Sequence, residues 1–317
     1  MKRKIIHKIY LLSVVAVLLL SCTTTSGLKE SSPKVTAEKE LIAIPLLVET
    51  EWLEKTIDHP NLRIIDFGRR IENYQGGHIP GAVFLARKTV WDEVNDIPGM
   101  LPPIETIIEA LENSGVSDQN TVVLYDDKGG LWASRLFWAL EYLGHRDVHM
   151  LNGGWDKWVQ EDRAVQQGAS IDQRGKFAPH VQPGFLTTKE WIIDNLKNSN
   201  LKVIDARSSQ EYTGKDVRSA RGGHIPGAVN IDWISNLTRD DMKTFLPQVE
   251  LAKLYETHDI SKDKVVVTYC QTGVRGTHTY FVLRLLGYPK VQVYDGSWAE
   301  WGNDPEAPIE AASPSFN

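Results

Sequence analysis

The sequence predicts an α/β protein built from two tandem copies of one domain, each a mainly parallel sheet with helices on both faces. Three observations carry that prediction. First, the chain repeats itself: Arg63-Ile64-Ile65-Asp66 followed by the octapeptide GGHIPGAV at 76–83 recurs as Lys202-Val203-Ile204-Asp205 followed by the same octapeptide at 222–229. Further on, TVVLYDD at 121–127 matches VVVTYCQ at 265–271, and LEYLGHRDVHMLNGGWDKW at 140–158 matches LRLLGYPKVQVYDGSWAEW at 283–301. The same modules in the same order, roughly 145 residues apart, argue for two copies of one unit. Second, each copy alternates two kinds of segment. Ile64-Ile65, 122–125 and 148–151 are short apolar or β-prone runs bounded by Asp, Gly and Asn, as central parallel strands are. Residues 103–113 and 133–143 have helical spacing instead. Strands alternating with helices give a sheet covered on both faces. Third, QQGASIDQRGKFAPHVQPG at 166–184 is polar and lacks a sustained apolar period, which marks it as the boundary between the copies.

The ends of the chain read differently. Lys2, Arg3, Lys4 and Lys8 precede an apolar run from Ile9 to Leu20 that ends at small residues, the pattern of a secretory signal peptide. The run is shorter than the roughly 20 residues that span a bilayer. The junction Leu19-Leu20-Ser21-Cys22 resembles the lipobox of bacterial lipoproteins, which implies cleavage before Cys22, lipidation of that residue and attachment to a membrane. Residues 23–42 are rich in Ser, Thr, Lys and Glu and are expected to form a flexible tether. The expected organisation is therefore a signal peptide at 1–22, the tether, a first copy at 43–165, a linker at 166–184, a second copy at 185–304 and a tail at 305–317. The expected location is exported and lipid-anchored: the outer membrane facing the periplasm in a Gram-negative source, the cell surface otherwise.

A net charge of −6 without a basic block gives no reason to expect nucleic acid as a partner. The chain has two cysteines, and with Cys22 assigned to the anchor Cys270 is left without a disulfide partner. By composition alone an unpaired Cys is most often a buried, inert hydrophobe.

Position argues otherwise. Cys270 directly follows a strand, where open α/β sheets present their functional loops, and the loop Gln271-Thr272-Gly273-Val274-Arg275 leads to a helix expected from about Thr277 to Leu286. Backbone N–H groups of such a loop and a helix N-terminus favour negative charge on a thiol placed there. Gly273 permits φ > 0, letting the loop curl around the sulfur. Arg275 offers a planar fork suited to a sulfonate, thiosulfonate or carboxylate, or serves only to fasten the loop. The first copy has Asp126 in the place of Cys270. His78 and His224 lie in identical octapeptides of both copies, so they are read as structural, and Trp155 with Trp158 and Trp298 with Trp301 are read as core.

The paired HIPGA boxes, Asp205-Ala206-Arg207 after a strand and the loop Cys270-x-x-Gly273-x-Arg275 together resemble the two-domain rhodanese family of sulfurtransferases, over nearly all of the chain after the tether. The resemblance implies that Cys270 carries a sulfane sulfur as a persulfide and that residues 271–275 cradle it. It also implies that the first copy is non-catalytic; Asp205 and Arg207 are candidates to support the site, Arg207 by assisting an anionic donor or in a purely solvated or structural role. The implied partners are a small anionic sulfur donor and a thiol, cyanide or protein-thiol acceptor, with no metal and no cofactor. Two positions depart from the thiosulfate-specific pattern, Thr272 and Glu211 standing where basic residues are typical, and Arg275 departs from the Thr typical of 3-mercaptopyruvate-specific members. The donor is therefore left open between the two. Arg221, near the same strand end in sequence, is a further candidate for an anionic donor or a purely structural residue. Rival readings are a non-turnover sulfur carrier or docking module, and a Cys-based phosphatase or arsenate reductase, whose Cys-to-Arg loop has one residue more than this one.

Overall fold

The computed structural model describes residues 44–170 and 173–311. The signal peptide, Cys22 and the tether lie outside the described residues. The first half contains β1 (Leu47–Val48), α1 (Thr50–Thr56), β2 (Leu62–Phe67), α2 (Ile71–Gly76), β3 (Val83–Leu85), the hairpin β4 (Asp92–Val94) and β5 (Ile97–Met100), α3 (Ile104–Asn113), β6 (Thr121–Tyr125), α4 (Ala133–Tyr142), β7 (Val148–Leu151) and α5 (Gly154–Gln160). The second contains β8 (Leu186–Thr187), α6 (Lys189–Asn195), β9 (Leu201–Asp205), α7 (Ser209–Tyr212), β10 (Val229–Asn230), α8 (Gln248–Glu256), β11 (Val265–Tyr269), α9 (Val274–Leu285), β12 (Val291–Tyr294) and α10 (Ser297–Trp301).

Each half forms one five-stranded, all-parallel sheet flanked by helices. The strand orders are β1-β7-β6-β2-β3 and β8-β12-β11-β9-β10, so the two copies have the same topology. β6 and β11 are the middle strands, and the loops that follow them leave from the centre of each sheet. Both strands are buried along nearly their whole length, which is why they read as continuous apolar runs rather than alternating ones.

The two halves share a core. α4 and α9 face each other, with Phe137 edge-on to Phe281 at 4.9 Å. Ile65, Leu124 and Leu136 of the first half belong to the same buried cluster as Ile204, Val266 and Phe281 of the second. Polar links cross the seam as well: Glu141 accepts from Tyr280 Oη at 2.8 Å and from Arg284 at 2.9 and 3.1 Å.

The described residues of the polar segment, 166–170 and 173–184, pack along the first half. Gln166 pairs in antiparallel fashion with His78, and Gly175 N–H donates to Glu112 O. Glu310, in the segment expected as a tail, makes the matching pair with His224. Both histidines do the same thing in their copies. Each Nδ1 lies 2.8–2.9 Å from a tyrosine carbonyl, of Tyr74 or Tyr212, and each ring stacks on that tyrosine. Trp158, Trp298 and Trp301 are buried, whereas Trp155 is only partly so and lies under the Arg69 guanidinium at 4.1 Å.

Candidate active site

Cys270 is the first residue after β11 and is 1 % exposed. The chain turns at once: Gly273 adopts φ +78° and caps α9, which starts at Val274 rather than at Thr277 as expected. The helix therefore begins inside the Cys-to-Arg loop. Its first intrahelical bond is Thr277 N–H to Gly273 O at 2.9 Å, so the amides of Val274, Arg275 and Gly276 are first-turn donors without an acceptor within the helix.

The first copy shows what such a loop can hold. Asp126 Oδ1 accepts from the amides of Lys128 and Gly130 at 2.8 and 2.9 Å, and Oδ2 from those of Trp132 and Ala133 at 2.7 and 3.0 Å. Four backbone donors converge on one buried carboxylate. Burial pushes the carboxyl of Asp126 up, and the four N–H bonds oppose that shift. The loop at the end of a middle strand of this fold is thus an anion cradle, filled in the first copy by the chain's own side chain.

In the second copy one amide expected in the cradle is used otherwise. Ser297 Oγ accepts from Cys270 N–H at 3.2 Å and from Gly273 N–H at 3.1 Å, and donates to Tyr294 O at 2.8 Å. Ser297 is buried and has φ +50°, rare for a residue with a side chain. Sequence reasoning missed it, although the repeat held the signal: the aligned residue is Gly154, with φ +51°. A serine where the sister copy needs a glycine marks a hydroxyl with work to do there.

Arg275 does not present an open fork. Its Nη1 and Nη2 bond the two oxygens of Glu211 at 2.6 and 2.8 Å, and Glu211 also accepts from Ser208 N–H and Oγ at 3.1 and 3.0 Å. Burial pushes the Glu211 carboxyl up, but Arg275 and Ser208 outweigh it and hold it at about 2. The carboxylate in turn keeps Arg275 protonated, within electrostatic reach of Cys270. Arg218, half exposed, approaches the same carboxylate at 3.7 Å. Gln271 Nε2 donates to Ser219 Oγ at 3.1 Å, and Thr272 lies against Gly99 of the β4–β5 hairpin.

Asp205 and Arg207 sit beneath the loop. Arg207 Nη2 bonds Asp205 Oδ2 at 2.6 Å and Gly223 O at 2.7 Å, Tyr269 Oη donates to Asp205 Oδ2 at 2.7 Å, and the guanidinium lies 4.4 Å from the Trp298 ring. Arg69, Asp66, Gly77, Tyr125 and Trp155 repeat this arrangement in the first copy. A cluster built alike with and without the thiol fastens strand to loop. Arg221 is bonded to the carbonyls of Trp301, Asp304 and Ala307 and ties down the C-terminal segment instead of reaching the Cys270 loop. A 620 Å³ cavity at the strand ends of the first half, lined by Arg69, Asn73, Asp127, Trp155 and Asp156 among others, has no thiol in its wall.

Against this geometry, the profile of the rhodanese-like domain matches residues 49–161 and again 188–304. The chain belongs to the rhodanese family. It is 36 % identical over 271 residues to the thiosulfate sulfurtransferase of Azotobacter vinelandii, covering 86 % of this chain and 99 % of that one. It is 37 % identical over 278 residues to the sulfur carrier protein TtuD of Thermus thermophilus, covering 83 % and 96 %. Among solved structures, the rhodanese-fold enzyme SseA from Escherichia coli, described as a 3-mercaptopyruvate sulfotransferase, superposes with a TM-score of 0.73 at 30 % identity, over 80 % of this chain and 99 % of that one. The anaerobic ergothioneine biosynthesis enzyme of Chlorobium limicola superposes at 0.74 with 28 % identity, over 85 % and 71 %. This rhodanese is a tandem-domain sulfurtransferase, thiosulfate sulfurtransferase-like in type.

Proposed function

We propose that Cys270 carries the transferred sulfur, taking it from a small anionic donor of the thiosulfate or 3-mercaptopyruvate type and passing it to a thiol, a protein thiol or cyanide. With thiosulfate, the Cys270 thiolate attacks the outer sulfur, its S–S bond breaks, and sulfite leaves with the bonding pair, so that Cys–S⁻ becomes Cys–S–S⁻. Cyanide attack on the terminal sulfur then gives thiocyanate and restores the thiolate. The supporting observation is the Asp126 cradle. The aligned loop of the sister copy stabilises a buried negative charge with four amides, and an anionic terminal sulfur on Cys270 needs that environment. Arg275, held by Glu211, supplies field rather than a bidentate grip, and the donor's anionic end meets first-turn amides of α9. Donor identity rests on the relatives' names, which include both donor types.

The test is mass spectrometry of the tether-free protein after excess donor: a gain of about 32 Da, one sulfur atom, removed again by cyanide or a thiol. Cys270→Ser should lose both the adduct and turnover, and sulfur transfer surviving in that variant would overturn the assignment. The Thermus relative's name favours a second reading, a carrier that hands sulfur onward without turnover of its own; steady-state thiocyanate formation from thiosulfate and cyanide separates the two. The lipobox at Leu19–Cys22 supports the further proposal that the protein works from a membrane anchor, facing the periplasm if the source is Gram-negative.

A further inference from the structure

We infer that Arg135, on the half without the thiol, is a positioning residue for the Cys270 loop and acts through Asp295. This rests on Cys270 being the sulfur-carrying group. Arg135 stands in the first turn of α4 and is fully buried. Its Nη1 lies 2.5 Å from Asp295 Oδ1, across the seam. Its Nε and Nη2 donate to Val90 O at 2.9 Å and to Gly99 O at 2.7 Å. One guanidinium thus joins the β4–β5 hairpin of one half to the residue after β12 of the other. Asp295 Oδ2 completes the link by accepting from Leu101 N–H at 2.8 Å.

These groups press on the active loop. A Cβ on Gly273 would lie 2.7 Å from Arg135 Nη1 and 3.0 Å from Asp295 Oδ1, and one on Gly99 would lie 2.6 Å from both Cβ and O of Thr272. The left-handed turn that starts α9 is therefore set directly against the ion pair. Two residues past Asp295 stands Ser297, whose hydroxyl holds the amides of Cys270 and Gly273. The loop is gripped from its own half by Ser297 and from the other half by Arg135.

The repeat supplies an internal comparison. Its alignment pairs Arg135 with His278 and Asp295 with Asn152. The reciprocal contacts exist: the His278 ring Nε2 lies 3.1 Å from Gly129 O in the Asp126 loop, and Asn152 Oδ1 accepts from Phe245 N–H at 3.0 Å, as Asp295 does from Leu101. Burial pulls His278 down to about 4, so this side of the seam is neutral. The same two positions carry a buried ion pair only where they face the thiol's loop. Arg135 and Asp295 lose water on burial; Nη1 and Oδ1 lie close without a hydrogen bond between them, and the directional bonds that place the two charges beside the loop are those to Val90 O, Gly99 O and Leu101 N–H.

The experiment compares Arg135→Lys, Asp295→Asn and the neutral double variant Arg135→Gln with Asp295→Asn, in the tether-free protein. Lysine keeps the charge but cannot bond Val90 and Gly99 together. Asparagine keeps an acceptor for Leu101, and the double variant leaves no unpaired charge in the seam if a single variant fails to fold. Two readouts are taken on folded protein: the rate of persulfide formation from thiosulfate, and the pH profile of Cys270 alkylation by iodoacetamide. We expect kcat and the persulfide rate to fall at least tenfold with little change in KM, and the alkylation midpoint to move. Arg284→Met, which breaks a different pair across the same seam, should lower thermal stability without either effect. Persulfide rates and alkylation profiles within twofold of the parent in the folded variants, or an equal loss in Arg284→Met, would overturn the inference. Cys270→Ser run alongside tells these outcomes from a failure of the persulfide assignment, in which transfer would persist without the thiol.

Discussion

Glu211 grips both terminal nitrogens of Arg275, at 2.6 and 2.8 Å, at the end of the loop that Cys270 opens. The carboxylate is almost wholly buried and balances the guanidinium, so it weakens the site's attraction for anions. Glu211→Gln should raise the local charge by one and lower the KM for thiosulfate severalfold at low ionic strength. The gain should shrink as salt is added, because screening acts on the same field. A KM unchanged at both salt concentrations would show that the Glu211 charge does not govern donor binding.

The same carboxyl sets an acid limit. Its folded-state value of about 2 lies below the ordinary 4.5, so between these pH values the unfolded chain binds more protons than the folded one. The contribution is complete above about pH 4.5 and is lost as pH falls toward 2, with a magnitude on the order of 3 kcal/mol. Denaturant midpoints measured across this window should fall steeply in the parent and more gently in Glu211→Gln.

His278 acts at higher pH in the same sense. Burial holds its folded-state value at about 4 against 6.5 for a free imidazole, so the stability from the neutral ring is complete above about pH 6.5 and is lost as pH falls toward 4. His278→Gln, which keeps a donor for Gly129 O, should cost some stability at pH 7 through lost stacking on Phe245. It should also flatten the decline in Tm between pH 6.5 and 4. Parallel Tm curves for the two proteins would contradict this account.

Asp126→Ala removes the acceptor for four amides, and hydrogen bonds to a charged group contribute about 1.5–3 kcal/mol each before the relief of desolvation is counted. A fall of several degrees in Tm is expected, with the persulfide rate at Cys270 within about twofold of the parent. A lost rate in folded Asp126→Ala would give the first half a chemical role.

Cys22→Ser tests the anchor. Without a thioether-linked lipid the protein should leave the membrane fraction or accumulate unprocessed, since acyl chains hold a protein to a bilayer by about 0.8 kcal/mol per buried CH₂. Fractionation and lipid labelling that match the parent would exclude lipidation at Cys22.

The repeat made most of the fold legible. Buried middle strands show as apolar runs, and two copies of each motif align one another. Cys270 stands out as a candidate, because it directly follows a middle strand and the other copy holds Asp126 at the same place. What stayed hidden was pairing across distance: Glu211 is 64 residues from Arg275 in sequence, and Arg135 is far from Asp295. The sequence presents each as an isolated charge, so it left Arg275 open between binding a donor and fastening the loop. The start of α9 was misplaced because the φ > 0 expected at Gly273 was read only as curling the loop around the sulfur, whereas that turn also caps the helix.

The reciprocal contacts of Arg135 and His278 have a bearing on ancestry. Each half offers the other an equivalent surface: α4 packs on α9, Arg135 reaches the Cys270 loop, and His278 reaches the Asp126 loop. A lone copy would expose that surface and could satisfy it only with another copy, as an isologous homodimer. The present chain is in that sense a covalently joined dimer. At that shared surface the two copies differ: one sets its thiol against a charged pair, and the other sets Asp126 against a neutral one.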